Sequence, residues 1–346
     1  MTATLNVSLA EIENRAATAL AASHVSPENA RAVARSIVFA ERDGQQIVGL
    51  SYLPTYCDHA ACGKVDGFAQ PSAEVLAPSL IRVDARTGFA HPALALGLPL
   101  LVEATRRQGM AALAVGQSYA CGSLGYFVEE LAEQGLVALM VANASPSIAP
   151  HGGKTAFYGT NPLAFATPRE GRPPLVIDQS SSVVAKVAVI DAHRRGIALP
   201  SGWALDAEGR PTTDADAAMA GSLSPIGGYK GASLALLIDI LAGGLSGSNF
   251  SFEASSFGDC EGGPPRTGQL LIAFDPAAFG GAAFVARTET LFGALLAEQH
   301  VRLPGDRRLQ ARQSHENGIE VPLELWALIE RYADQGSPVA RAGGAQ

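Results

Sequence analysis

A glycine-rich turn runs directly into an apolar stretch in the second half of the chain. The turn is Pro225-Ile226-Gly227-Gly228-Tyr229-Lys230-Gly231, and residues 235–241 after it are mostly apolar. The first N–H groups of a helix have no partner inside the helix, and the helix dipole is positive there, so such a turn suits a phosphate or a carboxylate. Lys230 adds a full positive charge, and we expect it to bind a cofactor. Taken alone, the turn fits a plain loop-to-helix junction with a surface lysine equally well.

A second segment that suits phosphate lies near the C-terminal end. Arg302, Arg307 and Arg308 flank Pro304-Gly305, and guanidinium groups pair well with phosphate oxygens. The alternative is a solvated basic loop. Neither G-x-G-x-x-G nor G-x-x-x-x-G-K-[ST] occurs in the sequence, so the Rossmann and P-loop fingerprints are excluded.

A carboxylate closes one predicted strand. Residues 175–177 are apolar, Asp178 follows them, and three serines come shortly after. A partly desolvated carboxyl group has a raised pKa and can donate a proton near neutral pH, so Asp178 is a candidate catalytic residue. Ser180 and Ser182 could bind phosphate or ribose. The alternative is that Asp178 caps the turn and that the serines bond their own backbone.

Composition and charge exclude several classes of protein. The 346 residues are 47% hydrophobic and 17% charged, with a net charge of -8. This charge argues against nucleic acid and anionic membranes as partners. We find no signal peptide and no run of about 18 apolar residues. The four cysteines and seven histidines have no metal-ligand spacing, so we expect reduced thiols, no metal and a cytoplasmic location.

The hydrophobic pattern predicts alternating strands and helices, which indicates an α/β fold. The predicted helices lie at 8–43 (two helices), 91–108, 126–134 and 284–298, and the predicted strands at 80–84, 111–115, 136–141, 175–178 and 270–274. Residues 243–268 are rich in glycine, serine and proline and predict a long loop.

Seven segments occur in an order that resembles the malate/L-lactate dehydrogenase family, whose members lack a Rossmann fold. They are residues 133–139, 159–165 (Gly159-Thr160-Asn161-Pro162 and onward), 178–182, 227–231, 247–253, 267–270 and 302–308. The resemblance runs from about Leu9 to about Ile329. Within the family it is greatest to the Δ1-piperideine-2-carboxylate/Δ1-pyrroline-2-carboxylate reductases.

The resemblance implies an α/β fold with a non-Rossmann NAD(P)-binding sheet domain and a helical domain built from both termini. We expect residues 1–75 and 285–338 to form the helical domain, residues 76–284 the central region that binds cofactor and substrate, and residues 339–346 a disordered tail. The resemblance further implies a homodimer that uses NADPH or NADH to reduce a small imino or keto acid.

The resemblance also assigns candidate site residues, with Asp178 as the catalytic group. Expected substrate contacts are Gln46, Val48, Tyr52, Thr160 and Asn161. Expected cofactor contacts are Ser118, Tyr119, Ala120, Cys121, Gly122, Gln179, Ser180, Ser182, Lys230, Pro304, Gly305, Asp306, Arg307 and Arg308.

The chain departs from the family pattern at its acid–base residues. Val48 stands where the family has its usual catalytic histidine, and Ile47 replaces the serine beside it. Tyr52 stands where a basic residue normally binds a substrate carboxylate. The loop from Ser118 to Gly122 also lacks the histidines that the family carries there.

These losses bear on the reaction. Oxidation of a 2-hydroxy acid needs a base, and valine cannot act as one. An imine that arrives protonated needs no acid in the hydride step, so the losses favour reduction of a cyclic 2-imino acid over oxidation of a 2-hydroxy acid. Two alternatives remain: a cofactor-binding homologue without redox activity, and a non-redox enzyme such as a lyase or cyclase that reuses the pocket.

Overall fold

The computed structural model describes residues 3–339. Its strands are β1 (Thr4–Val7), β2 (Ser72–Ala77), β3 (Leu80–Asp84), β4 (Met110–Ser118), β5 (Val137–Ala142), β6 (Leu163–Arg169), β7 (Arg172–Gln179), β8 (Ala204–Leu205), β9 (Pro211–Thr212), β10 (Ser222–Leu223), β11 (Thr267–Phe274) and β12 (Ile319–Pro322).

Its helices are α1 (Leu9–Ala22), α2 (Pro27–Arg42), α3 (Leu53–Ala61), α4 (Ala90–Gln108), α5 (Gly125–Glu133), α6 (Lys186–Arg195), α7 (Ala215–Ala220), α8 (Tyr229–Asp239), α9 (Pro276–Gly280), α10 (Phe284–Leu296), α11 (Asp306–Ser314) and α12 (Leu323–Gln335). Every helix and strand predicted above is present, with ends that differ by a few residues.

A seven-stranded sheet in the order β2-β3-β4-β11-β5-β6-β7 forms the centre of the molecule. Only β3 and β4 run parallel among neighbouring strands of this sheet. Leu113 and Val115 pack under α4 and α5 on one face, and Ala112 and Ala114 pack toward α8 on the other. Both faces are covered, so β4 is an almost continuous apolar run rather than an alternating one.

The two ends of the chain meet in a helical unit beside this sheet. β1 pairs antiparallel with β12, and α1 packs against α2 and α12. Two serines start the helices: Ser8 Oγ accepts the N–H of Glu11, and Ser26 Oγ accepts the N–H of Asn29. Each bond satisfies one of the free N–H groups at a helix start.

The division into domains stays a prediction. Two elements near the predicted boundaries, β2 and α10, contact the central seven-stranded sheet. β2 is the edge strand beside β3. Phe292 of α10 packs with Leu175 of β7. A further small sheet, β10-β8-β9, packs with α6 and α7 through its own apolar cluster.

The long loop predicted at 243–268 begins within the helical turn Ile240–Gly244, which follows α8, and ends in β11 at Thr267 and Gly268. It contains the short helical turn Ser251–Glu253. The predicted tail lies outside the described residues except for Val339. Within residues 3–339, no helix has both the length and the apolar character needed to cross a membrane.

Candidate active site

The loop from Ser118 to Gly122 leaves the end of β4 and lies between the helical unit and β7. Gly122 has a φ of 66°, which favours glycine. A Cβ placed there would be 3.6 Å from both Ser36 Oγ of α2 and Tyr56 Oη of α3. The loop therefore packs against α2 and α3, the two helices that flank the segment 46–52.

Most side chains of this loop are buried. Ser118 Oγ donates to the carbonyl of Thr267 over 3.0 Å, and Tyr119 and Cys121 lie inside the protein. Burial raises the pKa of the Cys121 thiol to about 12, which leaves it protonated and unreactive at neutral pH. Ala120 and Gly122 are the partly exposed members of the loop.

Asp178 lies at the end of β7, against the start of α5. Its Oδ2 accepts hydrogen bonds from Ser123 Oγ at 2.9 Å and from the N–H of Gly125 at 2.8 Å. Burial raises the pKa of Asp178, while these two bonds and nearby Arg308 act in the opposite direction. The carboxyl group is thus held in place with its proton affinity increased, as a catalytic role would require. Sequence reasoning missed Ser123 and Gly125.

Gly125 is needed where it stands. A Cβ there would lie 3.0 Å from Asp178 Oδ2 and 3.1 Å from Arg308 Nη1. A side chain here would make the carboxylate or the guanidinium shift by a few tenths of an ångström, so glycine allows the closest approach of both to the start of α5.

Arg308 points into the protein rather than out to solvent. Its Nη1 is 3.3 Å from Asp43 Oδ2 and its Nη2 is 3.8 Å from Glu129 Oε1. Arg312 binds the same two carboxylates through four short contacts. This buried cluster joins α2, α5 and α11 beside the candidate catalytic residue.

In the rest of the 304–308 segment, some residues are exposed to solvent and others form contacts that hold the turn. Pro304 and Arg307 are exposed. Gly305 has a φ of 89° and packs close to the backbone of Val176. Asp306 Oδ2 accepts the N–H of Leu303 over 2.9 Å and so closes its own turn. Of the segment's two arginines, Arg307 is the one available to a cofactor on the surface.

The serine turn after β7 is held mainly by its own backbone. Ser182 Oγ donates to the carbonyl of Val184 at 2.7 Å and lies 3.0 Å from Ser180 Oγ. These bonds fit the alternative in which the serines bond their own backbone. Ser180 is nevertheless partly exposed, and Gln179 is exposed.

Asn161 is completely buried and its amide is engaged by the chain. Its Nδ2 donates to the carbonyl of Ala235 in α8 at 2.8 Å, and its Oδ1 accepts from Ala144 and Ser251. Thr160 is partly exposed. The side chain of Thr160 is therefore better placed than that of Asn161 to meet a substrate.

The turn before α8 borders an open cleft. Gly227 and Gly228 have φ angles of 61° and 66° and open space where a Cβ would lie. Both line a cleft of about 790 Å³ with residues 149–154 and parts of 202–209. Lys230 is exposed in the first turn of α8. Free N–H groups, space and a cation thus meet at this helix start, which is the arrangement that anions prefer.

The segment 46–52 consists of two short helical turns, Gln46–Val48 and Leu50–Tyr52. Buried Glu41 fixes their junction, because its Oε1 accepts the N–H of Leu50 at 2.7 Å. A Cβ at Gly49 would be 2.2 Å from that oxygen. Val48 and Tyr52 are partly buried and Gln46 is exposed. Sequence reasoning missed Glu41.

An aromatic cluster with a histidine lies behind this segment. The ring of Tyr52 is 4.8 Å from that of Tyr56, and the hydroxyl of buried Tyr119 contacts Nδ1 of His59. Sequence reasoning missed His59. The sequence could have indicated His59 through its spacing from Tyr52 and Tyr56, because residues three and four apart lie on one side of a helix. No group of three potential metal ligands occurs among residues 3–339.

Known proteins resemble the chain over nearly its whole length. The family model described as malate/L-lactate dehydrogenase matches residues 7–330. The (2R)-3-sulfolactate dehydrogenase (NADP(+)) of Chromohalobacter salexigens is 49% identical, over 94% of this chain and 98% of that protein. The Δ1-pyrroline-2-carboxylate/Δ1-piperideine-2-carboxylate reductase of Pseudomonas aeruginosa is 40% identical, over 94% and 100%.

A solved structure shares the fold. The Δ1-piperideine-2-carboxylate reductase of Pseudomonas syringae pv. tomato superimposes with a TM-score of 0.91 at 38% identity, covering 95% of this chain and 100% of that one.

Proposed function

The chain belongs to the malate/L-lactate dehydrogenase family, and from this membership we propose that it reduces a cyclic 2-imino acid with NADPH. Its family makes it an NAD(P)-dependent oxidoreductase. The substrate class is the proposed part, of the Δ1-pyrroline- or Δ1-piperideine-2-carboxylate type named for several relatives.

The observation that carries this proposal is Val48. It lies partly buried in the segment 46–52, at the position that the resemblance gives to the acid–base histidine. A hydroxy acid loses both a hydride and a hydroxyl proton on oxidation, and the valine side chain cannot accept that proton. A cyclic imine needs only to be protonated at nitrogen before the hydride arrives at C2.

Asp178 is the group that we assign to the substrate nitrogen. Ser123 and Gly125 hold its carboxyl group in a fixed orientation. A carboxylate beside the ring nitrogen stabilises the positively charged iminium form by charge and hydrogen bonding.

The turn before α8 fits the phosphates of a dinucleotide. Gly227 and Gly228 leave open space in front of the helix start, and Lys230 and Arg307 are exposed cations. Bound NADPH supplies the hydride. The name of the 49% identical relative favours NADPH over NADH.

We include a homodimer in the proposal, and an exposed apolar surface supports it. On α8 and the residues after it, Leu236, Leu237, Ile240 and Leu245 are exposed, and Phe252 stacks on Phe157 at 4.8 Å. Apolar surface of this kind commonly marks an interface, and two copies of one chain can cover it symmetrically. We keep a cytoplasmic location and reduced thiols as part of the same proposal.

One observation favours a second candidate. The 49% identical relative is named as a sulfolactate dehydrogenase, so a 2-hydroxy or 2-oxo acid with a second anionic group is the other substrate to consider. Such a reaction would need a proton donor or acceptor other than Val48.

The test follows the absorbance of NADPH with four substrates: Δ1-pyrroline-2-carboxylate, Δ1-piperideine-2-carboxylate, pyruvate and sulfopyruvate. We expect turnover of an imine and none of pyruvate. Turnover of sulfopyruvate alone would support the second candidate. Cofactor binding without any turnover would refute both and favour a non-redox role.

The Ile47→Ser/Val48→His double variant is the matched comparison. If residue 48 occupies the acid–base position, this variant gains reduction of a 2-oxo acid. If it gains none while it still folds and binds NADPH, the assignment of position 48 is wrong.

A further inference from the structure

We propose that Tyr52, Tyr119 and His59 form a proton path that replaces the absent family histidine, with Tyr52 as the residue that touches the substrate. The inference rests on the proposed function and names the groups that supply its proton. It concerns residues that the family pattern does not assign to this task.

The three side chains lie in one connected line. The hydroxyl of Tyr119 contacts Nδ1 of His59. Tyr52 and Tyr119 pack on either side of Tyr56, with ring distances of 4.8 and 6.0 Å, and they lie close enough for each to affect the pKa of the other. Tyr119 and His59 are buried, whereas Tyr52 is partly exposed in the segment 46–52 that carries Val48. The path therefore begins at the expected substrate position and ends inside the helical unit.

Packing holds the path in a single arrangement. The ring of Tyr119 contacts the rings of Phe89 at 5.7 Å and Phe257 at 5.1 Å in edge-to-face geometry. His59 is also hydrogen-bonded to the backbone of Asp259. Because Nδ1 faces Tyr119, Nε2 is the nitrogen left to carry the proton of a neutral ring. Neutral His59 then carries its proton on Nε2 and accepts one at Nδ1.

The charged groups around the path come from three elements. His59 faces Asp58 on its own helix, Lys64 after that helix and Asp259 of the long loop. Tyr119 faces Tyr52, Tyr56 and Cys62. Burial and Lys64 lower the pKa of His59, against the opposing carboxylates, so the protonated donor form becomes more populated as the pH falls below neutrality.

The transfer balances in the direction of reduction. The imine nitrogen takes the hydroxyl proton of Tyr52, Tyr52 takes that of Tyr119, and Tyr119 takes the Nδ1 proton of the His59 imidazolium. C2 takes the hydride, and the C=N double bond becomes a C–N single bond in a neutral amine. His59 ends neutral and is protonated again from solvent. If sulfopyruvate is the substrate, the same path would deliver the proton to its carbonyl oxygen.

The experiment compares Tyr52→Phe and His59→Gln with wild type, using whichever of the four substrates wild type reduces fastest. A general acid contributes roughly 10²–10⁴-fold to rate, so we expect kcat to fall by about 10²-fold or more while KM changes little. In wild type, kcat should rise as the pH falls through the pKa of His59. That dependence should be missing in His59→Gln.

Tyr332→Phe is the matched control. Tyr332 is a buried tyrosine whose hydroxyl donates to Asp58 at 3.0 Å, next to His59 but off the path. We expect it to keep the wild-type kcat and pH profile.

The possible outcomes separate the two proposals. Imine reduction that survives unchanged in Tyr52→Phe and His59→Gln would overturn the proton path and leave the proposed function standing. Reduction of sulfopyruvate alone would overturn the imine substrate, and the variants would then test the path on a carbonyl. A loss of kcat with an unaltered pH profile in His59→Gln would indicate a structural role only and would also overturn the path.

Discussion

Replacing Arg312 by alanine should strongly destabilise the protein, because Arg312 neutralises two buried carboxylates at once. Its Nε and Nη2 bind Asp43 at 2.6 and 2.8 Å, and its Nη1 and Nη2 bind Glu129 at 2.8 and 2.6 Å. The side chains of Asp43 and Glu129 are 0% and 2% exposed. The change would leave both carboxylates buried beside Arg308 and Arg42, each of which lies 3.3 Å from Asp43 and 3.8 Å from Glu129.

The magnitude follows from the unequal costs of keeping and breaking a buried ion pair. Desolvation offsets much of the attraction in an intact pair, but removal of one partner costs about 3–5 kcal/mol because the remaining charge is buried without compensation. Arg308 offsets part of this cost, so we expect a loss of about 3 kcal/mol in the free energy of unfolding at pH 7.

The assay is urea unfolding followed by circular dichroism at pH 7. Arg195→Ala is the matched control, because Arg195 pairs with Asp191 one helical turn away on the surface, with 64% and 58% of the two side chains exposed. We expect the control to cost less than about 0.5 kcal/mol. If Arg312→Ala costs no more than Arg195→Ala, the buried cluster does not join α2, α5 and α11 as we infer.

Four further variants test the site and the surface. Gly125→Ala, whose Cβ would lie 3.0 Å from Asp178 Oδ2, should displace that carboxylate and lower kcat roughly tenfold with little change in the KM for NADPH. Lys230→Met should raise the KM for NADPH roughly tenfold and leave kcat nearly unchanged; an unaltered KM would remove Lys230 from the cofactor site. Leu237→Asp should convert a dimer into a monomer in light scattering, and a dimer that persists would place the interface elsewhere. Asp178→Asn should lower kcat yet stabilise the fold. Because folding raises the pKa of the Asp178 carboxyl group, its contribution to stability is present at low pH and is lost as the pH rises through the folded pKa. Asparagine does not ionise, so the gain in the free energy of unfolding should be larger at pH 8 than at pH 5.

The sequence determined the local elements because their signals are local. Two helices lie within the predicted range 8–43 and start at the capping serines Ser8 and Ser26. The apolar run at 111–115 lies in β4. The motif order also determined the family, which the family model and the relatives confirm. A short stretch of chain contains all the information that such features need.

The tertiary structure decided which predicted polar groups are free to act. Arg308 and Arg307 are adjacent in the sequence, yet Arg308 turns inward to Asp43 while Arg307 faces solvent. The amide nitrogen of Asn161 donates a hydrogen bond to the carbonyl of Ala235, 74 residues further along the chain. Neither partner is visible from local spacing, because burial and hydrogen bonding depend on contacts between distant segments.

The same reason explains the residues that were missed. His59 and Tyr119 are 60 positions apart, and Ser123 and Asp178 are 55 apart. Each pair meets only after the loop from Ser118 to Gly122 closes between α3 and β7. The sequence by itself therefore determined the elements and the family, and it predicts that Val48 replaces the family histidine. The fold decided which side chains surround that position, because only packing brings distant groups within hydrogen-bonding distance.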